Sequence, residues 1–307
     1  MSAVQDSYII GINWGSTNFR AYRIGSDGTV TGTIEQPHGI AGLERGQMQA
    51  LLEAVVAAWP HAARIYASGM IGSNIGWSDA GYVACPASPD AIAGHLHATR
   101  IGAHAVAIVP GLACRRSDGA PDIMRGEETE LLGMVAMGAI PATGLVALPG
   151  THSKWVQLEH GVVVEFMTAM SGEIFDRLTA AGLLASVVEG PAEEGPAFID
   201  GVRAAQDGAG LATLLFGARA RVIRGDLARR DGASYLRGLL IGAELADVRR
   251  QWGPDAFKGV PLIGAAPVCA LYALALQELG GSGSAIASQQ ASTRGFLALH
   301  QAAGAVA

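Results

Sequence analysis

The sequence predicts an α/β protein built from two similar lobes, and three observations carry that expectation. The chain has 307 residues, which at roughly 100–200 residues per domain leaves room for two cores. Short apolar runs and helix-spaced apolar stretches alternate along its whole length. One pattern of three strands also occurs twice, with its first glycine-hydroxyl turn at Gly15 and the second 135 residues later at Gly150. That interval is too long for a solenoid and suits a duplicated domain.

In order along the chain, residues 8–12 form an apolar run that enters the turn Gly15-Ser16-Thr17-Asn18. Residues 19–24 alternate, Ser26-Asp27-Gly28 is a hairpin turn, and residues 30–34 alternate again. A helix over 48–59 stops at Pro60, and a strand over 64–67 runs into Ser68-Gly69-Met70-Ile71-Gly72-Ser73. A strand over 105–109 ends at Pro110-Gly111, and helical spacing covers 127–137. The second copy begins with a strand at 145–148 and the turn Pro149-Gly150-Thr151-His152-Ser153-Lys154, followed by strands at 155–158 and 162–166. Helices are expected at 172–181, 197–206 and 234–252. The chain closes with strand 260–263, helix 267–279, strand 284–287 and helix 289–302.

Half the residues are hydrophobic and 16% are charged, a balance that argues against disorder. The net charge of −6, with no long Lys/Arg run, argues against nucleic acid as a partner. No apolar run is long enough to span a membrane and the N-terminus does not read as a signal peptide, so a cytoplasmic protein is expected. Cys85, Cys114 and Cys269 lie far apart and are odd in number, and read as small apolar core residues.

A hairpin tipped by Gly and Ser or Thr presents backbone N–H groups and a hydroxyl with little bulk in the way. Such a concavity suits phosphate oxygens or a hydrated metal. Two of them facing each other could hold a polyphosphate from both sides, which makes the chain a small-molecule phosphotransferase candidate.

Duplicated meanders with a phosphate turn in each follow the plan of the actin, hexokinase and heat-shock ATPase superfamily. More narrowly, the segments IGINWGSTNFRAYRI, ASGMIGSNIGW, IMRGEETELLG, LPGTHSKWVQL and LRGLLIGAEL resemble the 2-dehydro-3-deoxygalactonokinase family. Together with the C-terminal strand-helix units, they do so in the same order over essentially the whole chain. The resemblance implies two ribonuclease-H-like lobes, residues 1–140 and 141–307, with a nucleotide and substrate cleft between them. The C-terminal helix could pack back on the first lobe. It implies ATP and Mg2+ as cofactors and 2-dehydro-3-deoxy-D-galactonate as the sugar acid phosphorylated, in galactonate catabolism. A kinase for another keto-deoxy sugar acid and a nucleotide-binding regulatory module are the alternatives. The oligomeric state is left open, a homodimer included.

By that resemblance Gly15, Ser16 and Thr17 form the first phosphate turn, and Gly150, Thr151, His152 and Ser153 the second, with His152 positioning its loop. Gly264, Ala265 and Ala266 form the adenosine element at a strand-to-helix junction. The family carries Asp where this chain has Asn13, so a metal held through water at Asn13 is in doubt, since one negative charge is missing from a hard-cation site. Phosphorylating an alcohol requires removal of its proton. Glu127 is the first candidate base, in a segment similar to that of the catalytic Asp of glycerol kinases. Glu128 is the second, whereas Glu130 reads as a surface acid. Lys154 could neutralise phosphate charge. A guanidinium fork at Arg20 or Arg125 suits a substrate carboxylate. Ser68, Gly69, Met70, Ser73, Asn74 and Trp77 are expected to wall the sugar pocket, and Asn18 to contact the substrate.

Overall fold

The computed structural model describes residues 7–286 and 290–306. The chain opens with β1 (Tyr8–Trp14), β2 (Phe19–Gly25), β3 (Val30–Gln36), α1 (Arg45–Ala58) and β4 (Arg64–Ser68). Next come β5 (Tyr82–Ala84), α2 (Pro89–Gly94), β6 (His97–Ile101), β7 (His104–Ile108), β8 (Gly111–Arg115), β9 (Pro121–Met124) and α3 (Glu127–Ala136). The second meander is β10 (Gly144–Leu148), β11 (Ser153–Glu159) and β12 (Val162–Ala169). It leads into α4 (Ser171–Ala180), α5 (Pro196–Ala204), α6 (Leu211–Arg224) and α7 (Arg229–Trp252). The last elements are β13 (Val260–Ile263), α8 (Ala266–Glu278), β14 (Gly283–Ile286) and α9 (Ala291–Val306).

These strands form two sheets of one design, β3-β2-β1-β4-β7-β6 and β12-β11-β10-β13-β14. In each, an antiparallel meander is joined by parallel strands on the far side of its first strand: β4 beside β1, and β13 beside β10. The repeat read from the sequence is thus a repeat of topology. β5, β8 and β9 make a separate three-stranded sheet that sequence periodicity does not reveal. The expected strand and helix ends at Ala287 and Gln289 lie outside the described residues.

β1 reads as an unbroken apolar run because both of its faces are covered. Ile10, Ile12 and Trp14 pack with Met48, Leu52 and Val55 of α1, while Ile9 shares a core with Tyr66, Leu131 of α3 and Phe296 of α9. Phe296 lies directly on Gly11, where a Cβ would come within 2.3 Å of its ring. The second sheet repeats the arrangement. Val146, Leu148 and Val156 join the core shared with α3 and α9, whereas Ala147, Trp155 and Met167 face α5, α7 and α8. Cys114 and Cys269 are buried in these cores.

Helices α3 and α9 cross at a pair of glycines. A Cβ on Gly133 would stand 1.8 Å from the Ala291 carbonyl oxygen, and one on Gly295 would stand 1.9 Å from that of Thr129. Two backbones in contact leave no room for any side chain at the crossing. The contact fixes where α3 begins, and α3 carries the acidic residues. Among the described residues, no helix is long and apolar enough to cross a membrane.

Candidate active site

The first turn, between β1 and β2, is closed by the Gly15 N–H donating to the Asn18 carbonyl at 3.0 Å. Its carbonyls are held from behind: Ile40 N–H donates to Gly15 O and Ala41 N–H to Ser16 O, both at 2.9 Å. Gly39 makes that bracing possible, because a Cβ there would lie 2.0 Å from Gly15 O. Ser16, Thr17 and Asn18 are left exposed at the tip.

The second turn repeats the device. Glu173 N–H donates to Thr151 O at 2.9 Å, and a Cβ on Gly172 would lie 2.3 Å from Gly150 O. Thr151 and His152 are exposed at this tip, and His152 Nε2 bonds Glu173 Oε2 at 2.6 Å. Gly39 and Gly172 each follow the third strand of their meander. They extend the internal repeat by one element, and reading the repeat further along the sequence finds both. Beside the second turn, Gly264 lies against Pro149 so closely that a Cβ would be 2.8 Å from its carbonyl oxygen. Ala265 and Ala266 follow, exposed at the start of α8.

Three chain segments meet where β1, β4 and α3 end or begin. Gly69 has φ +92°, and a Cβ on it would stand 2.9 Å from Trp14 O and 3.6 Å from Asn13 Oδ1. Gly126, at φ +108°, packs on the Gly69 Cα. Both backbones occupy the region that favours glycine. Gly126 starts α3 and so puts Glu127 at this junction. Glu127 Oε2 accepts the Arg125 N–H at 3.1 Å, and its Oε1 stands 3.9 Å from Lys154 Nζ. The acid comes from the helix that follows the first sheet, and the lysine from the strand that leaves the second turn.

Lys154, with only 7% of its side chain exposed, also donates to Thr168 Oγ1 at 3.0 Å. Thr168 is itself fixed by its N–H and hydroxyl, both donating to the Asp122 carboxylate at 2.7 Å. The small sheet therefore serves to hold Asp122, and through Thr168 the lysine. Neither Asp122 nor Thr168 has a sequence signal. Glu127 keeps 28% of its side chain exposed although it lies deep in the protein. That enclosure pushes its carboxyl above the usual carboxylate range, and the Lys154 ammonium opposes the push.

Glu128 points elsewhere. It is buried, accepts the Gly126 N–H at 2.6 Å and the Thr129 hydroxyl at 3.3 Å, and so caps its own helix. Burial first, and the Glu127 charge second, push its carboxyl up to about 8. The folded state then holds this proton more tightly than the unfolded chain does. Stability falls as pH rises between about 4.5 and 8. Melting curves across that window should show the decline, and Glu128→Gln should flatten it.

Glu130 corrects the sequence reading of a surface acid. It is half-buried and accepts the Ser292 hydroxyl of α9 at 3.3 Å, while Asn13 Nδ2 donates to the same Ser292 oxygen at 3.4 Å. Asn13 is thereby tied to α9 through an amide hydrogen that an Asp would lack.

The remaining expected residues divide. Arg20 sits directly across the ladder from Asn13, half-exposed, 3.6 Å from Glu35. Arg125 is 5% exposed, stacks on Tyr82 and donates to Gly81 O at 2.9 Å; its Nε and Nη1 are buried with no partner. Ser68 is fully buried, and Ser73 donates its hydroxyl to Met70 O at 2.7 Å. Trp77 donates to Arg100 O at 3.0 Å under the Arg45 guanidinium. Ser73 and Trp77 thus have their polar atoms engaged in shaping the loop. A cavity of about 950 Å3 runs beside β12, lined by Thr168, Ser171 and Glu244 among others, and none of the expected site residues lines it.

No group of three or more His, Cys, Asp and Glu side chains gathers as a metal cage among the described residues. Asn13 Oδ1, beside Gly69, and the Glu127 carboxylate, next to Gly126, are each the kind of oxygen donor that suits a divalent cation keeping most of its ligands as water and phosphate. The second turn, braced and exposed at its tip, runs directly into the buried Lys154 and likewise fits phosphate oxygens.

Comparison with known proteins gives the family. The family model of 2-keto-3-deoxy-galactonokinase matches residues 13–299. The chain is 36% identical over 302 residues to "Probable 2-dehydro-3-deoxygalactonokinase DgoK1" of Rhizobium meliloti (strain 1021), covering 96% of this chain and 97% of that one. It is 32% identical over 294 residues to 2-dehydro-3-deoxygalactonokinase of Escherichia coli (strain K12), covering 95% and 97%. The crystal structure of a Sinorhizobium meliloti protein assigned to the same activity superposes with a TM-score of 0.86 at 35% identity, over 97% of this chain and 99% of that one. The fold is that of the actin-like sugar kinases, and the chain belongs to the 2-keto-3-deoxy-galactonokinase family.

Proposed function

We propose that this chain transfers the γ-phosphoryl group of ATP to the 6-hydroxyl of 2-dehydro-3-deoxy-D-galactonate, in the cytoplasm, as a step of galactonate catabolism. The observation that carries the reading is the meeting of Glu127 and Lys154 at 3.9 Å, the acid heading the helix that follows the first sheet and the lysine leaving the second glycine turn. Family membership supplies the sugar acid.

In this reading residues 1–140 and 141–307 are the two lobes, with α9 laid against the first sheet. The triphosphate lies between the tips at 15–17 and 150–153, and the adenosine along 264–266. Mg2+, entering with ATP, would be held by phosphate and water with Asn13 and Glu127 nearby, and would supply charge neutralisation. Glu127 takes the proton of the attacking hydroxyl. Its enclosure raises its basicity toward neutral pH, and its exposed surface admits the sugar. Lys154, held by Thr168, faces the charge that builds on the phosphoryl oxygens. Glu128 is the weaker candidate for base because it is spent on capping. Of the two guanidinium candidates, Arg20 is the better clamp for the sugar carboxylate, since it is exposed beside Asn13 while Arg125 is enclosed. Gly69 and Met70 contribute the wall behind the sugar.

ADP formation measured across keto-deoxy sugar acids and neutral hexoses tests the assignment. Turnover confined to the sugar acids, with 2-dehydro-3-deoxy-D-galactonate used best, is expected; equal use of hexoses contradicts the carboxylate clamp. Asn13→Asp, assayed in the same way, should lower the Mg2+ needed for half-maximal rate by on the order of tenfold, because one carboxylate is restored to a hard-cation site. The absence of sugar-dependent ADP from both proteins would favour a nucleotide-binding regulator instead.

A further inference from the structure

The segment Leu236-Arg237-Gly238-Leu239-Leu240-Ile241-Gly242-Ala243-Glu244-Leu245 of α7 touches neither exposed turn tip, yet it carries a carboxylate in the core. Gly238 and Gly242 let α7 lie against α5: a Cβ on Gly238 would come 2.0 Å from Phe198 O, and one on Gly242 2.7 Å from Val202 O. That close seating places Glu244, 4% exposed, beneath the second sheet.

Three donors from three elements converge on it. Trp155 Nε1 of β11 donates to Oε1 at 2.6 Å, Tyr272 OH of α8 to Oε2 at 2.8 Å, and the Ser171 hydroxyl of α4 to the same Oε2. Tyr272 OH also bonds Ser153 Oγ at 2.7 Å, and Ser153 Oγ lies 3.4 Å from both the N–H and the carbonyl oxygen of Gly150. Ser171 heads the helix whose Gly172 and Glu173 brace Gly150 and Thr151 from the other side. One carboxylate thus reaches both flanks of the turn at 150–153, through Tyr272 and Ser153 on one side and through Ser171 on the other.

A buried ionisable group is a poor stabiliser, since apolar residues of the same volume commonly do as well. Its worth lies in specifying one arrangement of its partners. We propose that Glu244 is the positioning residue of the second phosphate turn, holding the tip in the shape that receives the nucleotide phosphates. This deepens the reading of residues 150–153 as a phosphate turn and rests on it.

Tyr272→Phe tests it, because it severs Glu244 from Ser153 while keeping the ring and leaving Trp155 and Ser171 bonded. The KM for ATP should rise about tenfold, in keeping with a lost hydrogen bond to a charged group. The KM for the sugar acid should change less than about twofold, since that subsite belongs to the other half of the chain. Should Tyr272→Phe fold poorly, Glu244→Gln, which keeps the size and removes the carboxylate from Trp155, Ser171 and Tyr272, should show the same split. A loss of melting temperature with both KM values at the parent level would make the network structural only and overturn the inference. An equal rise in both KM values overturns it as well. If the parent protein forms no ADP and no ATP analogue protects it, the kinase reading falls and this inference with it. If the parent turns over normally and both variants match it, the inference alone falls.

Discussion

Replacing Glu127 by glutamine is expected to lower kcat by about 10²–10⁴-fold, the usual contribution of a positioned general base. The glutamine keeps the size and can still accept the Arg125 N–H that Glu127 Oε2 receives at 3.1 Å. What it loses is the capacity to take a proton. The KM for ATP should change far less than kcat, because both turn tips are untouched and Lys154 keeps its bond to Thr168. A secondary effect is a modest fall in melting temperature, since Lys154, 7% exposed, keeps only Thr168 as a partner. The steady-state assay with the sugar acid, read beside a melting curve, separates the two effects. Retention of more than about a tenth of the parent kcat would remove Glu127 from the role of base, because that loss lies below the range such groups supply.

The second large effect is expected at the helix crossing. Gly133→Val puts a branched side chain where even a Cβ would lie 1.8 Å from the Ala291 carbonyl oxygen and 2.7 Å from the Gly295 nitrogen. Neither contact is with a flexible side chain that could swing aside, so α3 and α9 must separate. Overpacking of this kind costs about 3 kcal/mol or more. For a chain of this size that corresponds to a fall in melting temperature of at least about 5 °C. Since α3 carries Glu127 and α9 carries Ser292, kcat of the fraction that still folds should fall too. An unchanged melting temperature would mean that the crossing is not as close as described.

The large-scale design was legible in the sequence because it was written twice. Two apolar strands each running into Gly-Ser or Gly-Thr, each followed by alternating strands, identify both meanders and both turns. The start of α3 was legible as well, because Glu127 follows a glycine at the head of a helical spacing. The small sheet was not. β5 has three residues and β9 four, too short to show a period, and the Thr168 that Asp122 holds lies in β12. α6 was missed because Phe216 and Ile223 are exposed, which breaks the one-sided apolar spacing that marks a helix. Glu130 was misread because its partner Ser292 lies 162 residues away. Glu244 sat within a recognisable segment, but Trp155, Ser171 and Tyr272 converge on it only after four elements have packed. What the sequence withholds in each case is a contact between distant segments.

The central claim is that both glycine turns hold one triphosphate. Amide hydrogen exchange of the protein, with and without Mg2+ and a non-hydrolysable ATP analogue, tests it most directly. The account predicts that residues 15–18 and 150–154 gain protection together, at the same nucleotide concentration. Protection of one turn with the other unchanged, at saturating nucleotide, would contradict it.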